Sequence, residues 1–514
     1  MECLSGLCNG APRKRRDCLD GVLRRAEMRV GRLAAVGRYH RLPRHLSDDY
    51  TVGRKVLGVG RHGAVLQAKC RRTGAFVAVK SLSLRGYSAE QLSQLAAETE
   101  VFTSVDHPSV ARLLAVYESE DCLHIVMERL TGGELLHRLR QRQRFSEQDA
   151  ANAVWQMLVV VNYLHSHGVV HRDLKLENFL FESEDSEHLK LIDFGTSRLR
   201  HREARMSELV GTLAYTAPEV LAGNYTSRCD LWSLGVITFA LLTGQMPFDG
   251  LDEVVIDRIK AGSYIDTPGL WCGISASARQ FVESLLTVDP SARPTAEQAL
   301  QHPWLAGRQR AQPCGCIDAG IAMALRSFAN EPRLRRALLQ VMAWCLTSEE
   351  HASVREAFIE MDTRRRGSLG PDDLAAALGE KLRAAGSGGA RQILEACVAS
   401  HLGEVDHSQQ DQCCRDAWHQ EISYSAFLAA ALPVRIGVRE DLFGATFRAL
   451  DKADRGYVSV QDLERVLGEP LATQELDDLR RSCGGTVKGD AFSPEHIAQY
   501  LKEVCYALPE CIGV

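Results

Sequence analysis

Residues 171–178 read His-Arg-Asp-Leu-Lys-Leu-Glu-Asn, and no other stretch narrows the choice of fold as far. A carboxylate (Asp173), an ammonium (Lys175) and an amide (Asn178) stand at fixed offsets within one short loop. Before it, residues 50–130 read as short strands with one helix: Phe76-Val77-Ala78-Val79-Lys80 and Leu123-His124-Ile125-Val126-Met127 are strand-like, and a helical stretch lies around Ala89–Val105. Residues 135–305 are mostly helical, with apolar spacings of three and four through Trp155-Gln156-Met157-Leu158 and through 231–242. A small β-rich lobe followed by a larger helical one suits a cleft. At 514 residues the chain is too long for one ordinary core, so two or three domains are expected.

The octet has companions in a set order. Gly58-Val59-Gly60-Arg61-His62-Gly63-Ala64-Val65 is a glycine-rich loop. Alone it is weak, because dinucleotide-binding units share the spacing. Here a second strand carrying Ala78 and Lys80 follows, where a dinucleotide unit would open a helix. That favours a hairpin, from Leu57 to Val65, folded over nucleotide phosphates. Lys80 sits in an apolar strand, and burying an ammonium costs several kcal/mol unless it is paired. Glu98 and Glu100 on the next helix are the available partners. Asp193-Phe194-Gly195, Ala217-Pro218-Glu219, Asp230 and Arg293 complete the series. Asp173 can accept a hydroxyl proton, Lys175 can stabilise a migrating phosphoryl group, and Asn178 with Asp193 can hold Mg²⁺.

Together these motifs resemble eukaryotic protein kinases. The resemblance implies an α+β two-lobed fold, ATP and Mg²⁺ as cofactors, and Glu98 as the partner of Lys80. It places Met127 at the gatekeeper position and Glu128, Arg129 and Leu130 in the hinge, and it pairs Glu219 with Arg293. Lys175 in His-Arg-Asp-Leu-Lys, with Thr212 after Gly211, resembles kinases acting on serine and threonine of protein substrates. Glu134 and Glu177 match positions that hold a basic residue three before the acceptor. Arg172 is the cation that many relatives neutralise with a phosphate on the activation loop. Glu208 occupies that phosphate's place and is expected to pair with Arg172, with Ser207 as a competing phosphosite. The rival reading, a catalytically idle scaffold, conflicts with the intact Lys80, Asp173 and Asp193.

Asp289-Pro290-Ser291-Ala292-Arg293-Pro294-Thr295 and His302-Pro303-Trp304 resemble the end of calmodulin-dependent-type kinases. A basic amphipathic helix over 321–346 and a long helical tail then resemble calcium-dependent protein kinases of plants and protists. That family joins a kinase to a junction helix and four EF-hands. The expected domains are a basic leader at 1–49, a kinase at 50–305, a junction helix at 306–346 that contacts the kinase and could cover its substrate groove, and an all-α calmodulin-like domain at 347–514. EF-hand loops need oxygen ligands at positions 1, 3, 5 and 12 and Gly at 6. Asp362 to Asp373 keeps its end residues and Gly367 but puts Arg364 and Arg366 at positions 3 and 5. Asp451 to Asp462 keeps Gly456 but has Ala453 and Arg455. A guanidinium ~5 Å from a dication costs on the order of 7 kcal/mol at an effective dielectric of ~20. Asp362, Asp373, Asp451 and Asp462 are the candidate Ca²⁺ ligands. The second loop ends at Ala426 after an irregular insertion rich in Gln, Asp and Cys, and the fourth, near 485–496, lacks the acidic pattern, so the scaffold is expected without its metal.

With 45% apolar and 25% charged residues the composition is that of a soluble globular protein. A net charge of −5 gives no signature of nucleic-acid binding. Arg13-Lys14-Arg15-Arg16 and later arginines make the leader a disordered basic tail, able to touch an anionic membrane weakly, with Cys3 and Cys8 as acylation candidates. Glu2 excludes an N-myristoylation signal. The 16 cysteines show no zinc spacing, and Cys314-x-Cys316 and Cys413-Cys414 come closest. Reduced thiols and a cytoplasmic location, with peripheral membrane contact, are expected.

Overall fold

The structure, a computed structural model, describes residues 21, 23–27, 29, 33, 35, 37–60, 63–199, 206–208, 210–307, 319–384, 421–437, 439–484 and 490–507. Cys3, Cys8, Arg13 to Arg16, Cys314, Cys316, Cys413, Cys414 and the insertion before the second EF-like loop lie outside them.

Runs rich in valine and leucine form a six-stranded sheet in the order β1-β5-β6-β4-β3-β2. Its strands are β1 (Tyr39–Arg41), β2 (Tyr50–Gly60), β3 (Gly63–Cys70), β4 (Phe76–Ser83), β5 (Leu113–Glu118) and β6 (Cys122–Glu128). All neighbours are antiparallel except β1 and β5. Helix α1 (Ala89–Ser104) starts at Ser88, whose hydroxyl accepts from the Gln91 N–H while the Gln91 side chain reaches back. The larger lobe is built on α2 (Glu147–Ser166) and α3 (Arg228–Thr243). Every side chain of α3 from Cys229 to Leu242 is buried, as its all-round apolar sequence requires. One hydrophobic core runs through both lobes.

The leader does not end at residue 49 as a separate tail. Tyr39–Arg41 pairs with β5 as the edge of the sheet, and Arg38 donates from a buried guanidinium to the carbonyls of Leu113 and Thr103. Its arginines hid an apolar set: Leu33, Ala35, Tyr39 and Leu46 are all buried. Leu33 packs in the core of the C-terminal domain.

The junction also departs from expectation. It is two helices, α4 (Ala319–Asn330) and α5 (Arg333–Ala343), because Pro332 cannot continue the first. Both belong to the C-terminal core, with α6 (Ala352–Met361), α7 (Tyr424–Ala431) and α8 (Glu440–Leu450). They contact the kinase at its rear, away from the cleft: Arg112 of the small lobe donates to the carbonyls of Ala343, at 3.1 Å, and Leu346. Two antiparallel two-residue ladders, Ser368–Leu369 with Ile422–Ser423 and Val458–Ser459 with Ala491–Phe492, join helix–loop–helix units in pairs. The EF-hand scaffold is present. Among the described residues no helix is long and apolar enough to cross a membrane.

The two halves meet through buried charge. Lys190, 1% exposed, donates to both oxygens of Glu128 at 2.7 and 2.8 Å. It lies 3.2 Å from Glu182 Oε1, near enough for attraction but off the line of a hydrogen bond. Arg355 of α6 pairs with the other oxygen of Glu182, and Ser348 donates to Glu128. Asp106 accepts from the Ser425 N–H and hydroxyl, both at 2.9 Å. Gly367, at φ +71°, lets the first EF-like loop approach so closely that a Cβ there would sit 2.5 Å from the Tyr163 ring. Removing one partner of a buried ion pair costs about 3–5 kcal/mol. Arg355→Met should therefore loosen the C-terminal domain from the kinase, read as faster limited proteolysis of the full chain and a lower melting temperature. Unchanged proteolysis and melting would contradict this account of the interface.

Candidate active site

Asp173 owes its position to a backbone held from beneath. The buried Asp230 accepts the N–H groups of His171, at 2.9 Å, and Arg172, at 2.8 Å. Burial opposes ionisation of Asp230, but the His165 hydrogen bond at 2.8 Å, with the His171 N–H bond beside it, outweighs this and holds the carboxyl below its usual range. Arg172 adopts φ +70°, which turns the chain so that Asp173 faces the cleft. Gly211, at φ +101°, passes so close that a Cβ would stand 2.7 Å from the Arg172 carbonyl.

In the cleft three side chains close a triangle. The Thr212 hydroxyl donates to Asp173 Oδ1 at 2.8 Å, Lys175 donates to Asp173 Oδ2 at 2.8 Å, and Lys175 reaches Thr212 at 3.2 Å. The Asn178 amide nitrogen donates to the Asp173 carbonyl at 2.8 Å, which leaves its oxygen as the atom able to take a cation. Lys80 donates to Glu98 at 2.6 Å and stands 3.5 Å from Asp193 Oδ1. Burial disfavours the Lys80 ammonium, but Glu98 and then Asp193 more than offset this and raise its pKa. Burial likewise opposes ionisation of Asp193, and Lys80 with the Gly195 N–H holds it ionised below the usual range. Glu100, the other sequence candidate, pairs instead with Arg25 at 2.6 Å.

The hairpin from Leu57 to Val65 forms as expected, with Gly58 opposite Val65 and Gly60 opposite Gly63; its tip residues Arg61 and His62 are outside the described set. Ala78 on β4 lies opposite Met127 on β6, and Leu130 follows in the hinge. Glu128 follows Met127 at the end of β6. Its side chain points to the rear, so only its backbone can serve a nucleotide. Burial opposes its ionisation, but Lys190 and Arg112 bring its pKa down to about 2. Glu134 is exposed at the start of Leu135–Arg142, and Glu177 is half-buried near the Tyr215 hydroxyl. Arg172 bonds Glu208 at 2.7 Å, the Thr196 carbonyl at 2.6 Å and the Tyr225 hydroxyl at 3.2 Å. The Arg172 hydrogen bond holds Glu208 below the usual carboxylate range. Glu219 and Arg293 pair at 2.6 and 3.0 Å, as the resemblance implied.

The candidate calcium ligands are buried and committed elsewhere. Asp362 accepts the N–H groups of Arg366 and Gly367, at 3.0 and 2.7 Å. Asp373 accepts from Thr363 and from the Gly370 N–H, and Arg364 pairs with Asp372. In the other loop Asp451 accepts from Arg455 and Gly456 N–H groups at 3.0 and 2.8 Å, while the Arg455 guanidinium pairs with Asp462. A position-5 cation bonded to the position-12 carboxylate does not fit Ca²⁺. Among the described residues no group of three or more His, Cys, Asp or Glu is arranged to hold a metal.

Sequence reasoning missed Lys190, Arg355 and Tyr225. The one available signal was Lys190 itself, an ammonium between two leucines in the strand Leu189–Leu191.

Residues 50–305 match the protein kinase domain family. Over 464 residues, 89% of this chain and 91% of the relative, the sequence is 33% identical to calcium-dependent protein kinase 12 of Arabidopsis thaliana. It is 33% identical over 436 residues to calcium-dependent protein kinase 32 of the same plant, covering 84% and 78% of the two chains. It is 34% identical over 429 residues to calcium-dependent protein kinase 9 of Oryza sativa subsp. japonica, covering 82% and 71%.

Asp173→Asn removes the proton acceptor and one charge while keeping the shape of the triangle. Turnover should fall by ~10²–10⁴-fold with nucleotide affinity changed less than about threefold, measured by steady-state kinetics and equilibrium binding. Near-normal turnover would remove Asp173 from the chemistry.

Proposed function

Because the chain belongs to the calcium-dependent protein kinase family, we propose that it transfers the γ-phosphoryl group of ATP to serine and threonine of proteins, and does so without calcium control. The observation that carries the reading is the closed triangle of Asp173, Lys175 and Thr212 beside the Lys80–Glu98 pair. Asp173 orients the acceptor hydroxyl and takes its proton; Lys175 sits where negative charge moves from ATP to the acceptor. Thr212 holds the Asp173 carboxylate in place. Asn178 and Asp193 are the oxygen donors for Mg²⁺, which when bound neutralises phosphate charge. Lys80, kept charged by Glu98, is set to meet phosphate oxygens.

Independence from activation-loop phosphorylation is supported by Arg172. A carboxylate already lies 2.7 Å from it, in the place of a phosphate. Independence from calcium is supported by the loops: Arg455 supplies the positive charge inside one, and both dock on the kinase. Asn162 donates to the Arg365 carbonyl at 2.8 Å, and Arg44 donates to the Asp451 carbonyl at 3.1 Å. Phosphatase-treated full chain should phosphorylate a peptide at the same rate, within about twofold, in Mg-ATP with Ca²⁺ and with a chelator. A rise with Ca²⁺ would overturn the calcium reading, and a collapse after phosphatase treatment would overturn the role of Glu208.

Glu134 and Glu177 support a basic residue three before the acceptor. Replacing that arginine by alanine in a peptide substrate should lower kcat/KM about tenfold or more. An unchanged kcat/KM across a peptide series would exclude this preference.

A further inference from the structure

Behind the hinge, between the kinase and the C-terminal domain, lies a cavity of about 750 Å³. That volume lies within the ~300–1,000 Å³ that small organic ligands occupy. It is separate from the nucleotide cleft. Its kinase wall includes Arg72, Phe76, Arg112 and Arg129, and its other wall includes the 345–349 segment and Arg448.

The charges on these walls are not balanced. The buried carboxylates are already matched: Glu128 with Lys190, Glu182 with Arg355 and Lys190, and Asp49 with Arg44 and Arg448. Arg72, Arg112 and Arg129 form no ion pair among the described residues. Arg72 donates to the carbonyl of Gly444. Arg112 spends two nitrogens on the carbonyls of Ala343 and Leu346 and keeps a buried Nε without a partner. Arg129 also has a buried Nε without a partner, and its guanidinium lies 5.4 Å from the centre of the Phe76 ring. Two further carboxylates of the lining, Asp185 and Glu349, are exposed and so are screened by water. Phe76 is 48% exposed in the same wall, with the Lys69 ammonium 5.9 Å from its ring centre as a second neighbouring cation. Arg129, which forms no ion pair, and Arg112, whose charge also acts on Glu128, stand beside an apolar ring in a confined space and are complementary to an organic anion with a ring.

We propose that this interdomain cavity binds a small aromatic anion, its acidic group on the Arg112 and Arg129 side chains and its ring against Phe76. A ligand there touches both the hinge and the C-terminal domain, so its binding strengthens their contact by mass action.

The probe is 8-anilinonaphthalene-1-sulfonate, followed by calorimetry and by its fluorescence on the full chain. One saturable site is expected, still occupied at saturating Mg-ATP, and at least about tenfold weaker in Arg129→Gln and in Phe76→Ser. The uncharged analogue N-phenyl-1-naphthylamine should bind at least about tenfold more weakly than the sulfonate. Circular dichroism of both variants should match the parent, so that loss of binding is not loss of fold; variants that unfold are replaced by Arg129→Lys, expected to weaken the site by a smaller factor because it lacks Nε. Absence of a saturable site, displacement of the probe by Mg-ATP, or equal affinity for the uncharged analogue would each overturn the proposal.

Discussion

Lys190 is the residue on which the joined structure turns. It lies between two carboxylates, Glu128 of the hinge and Glu182 of the large lobe, with almost no access to water. Lys190 hydrogen-bonds Glu128 alone, which leaves Glu182 without a hydrogen-bonded cation from the kinase itself. Ions removed from water each cost several kcal/mol unless they are matched. Arg355, carried by the C-terminal domain, supplies that cation to Glu182, and Ser348 adds a donor to Glu128. The kinase therefore presents a buried carboxylate that its own C-terminal domain matches. Hydrophobic contact adds area to this interface, but the ion pair says which surfaces must meet.

The same principle explains the EF-like loops. A loop closed by a bound ion loses its neutralising charge when the ion's concentration falls. A guanidinium in the chain is present at a fixed, high effective concentration whatever the solution contains. Arg455 bonded to Asp462 is such an internal cation, and the two N–H groups on Asp451 finish the loop without any external ligand. The loop backbones also dock: Asn162 of the kinase donates to the Arg365 carbonyl, and Arg44 donates to the Asp451 carbonyl.

Much of the catalytic side was legible because its residues are close in sequence or carry motifs. Asp173, Lys175 and Asn178 share one loop, and Lys80 in an apolar strand demanded a carboxylate that spacing placed at Glu98 or Glu100. The family resemblance chose Glu98, and in the fold Lys80 bonds Glu98 at 2.6 Å while Arg25 takes Glu100. The rear network had no such signature. Glu128, Glu182, Lys190 and Arg355 come from four separate segments, and nothing in their local pattern relates them. The leader was misread for a related reason: its charge count outweighed four apolar side chains, whose burial depends on surfaces supplied by β5 and by the C-terminal core. Pro332 was the overlooked local signal, a break inside an otherwise continuous helical pattern.

The rear and the cleft are joined by a short path. Lys190 lies on the strand Leu189–Leu191, and Asp193 follows two residues after that strand ends. Leu191 donates to the Ser109 carbonyl and Ala111 donates back to Leu191, so the strand is stitched to the segment that leads into β5. Ile192 donates to the Asn178 carbonyl at 2.9 Å, which ties it to the other metal-binding candidate. Asp193 then takes φ +61°, a conformation strained for a residue with a side chain and held by its surroundings. Placing Lys190 correctly thus helps set both Asp193 and Asn178. The charge that Arg355 brings to the rear is, through this strand, part of what shapes the front.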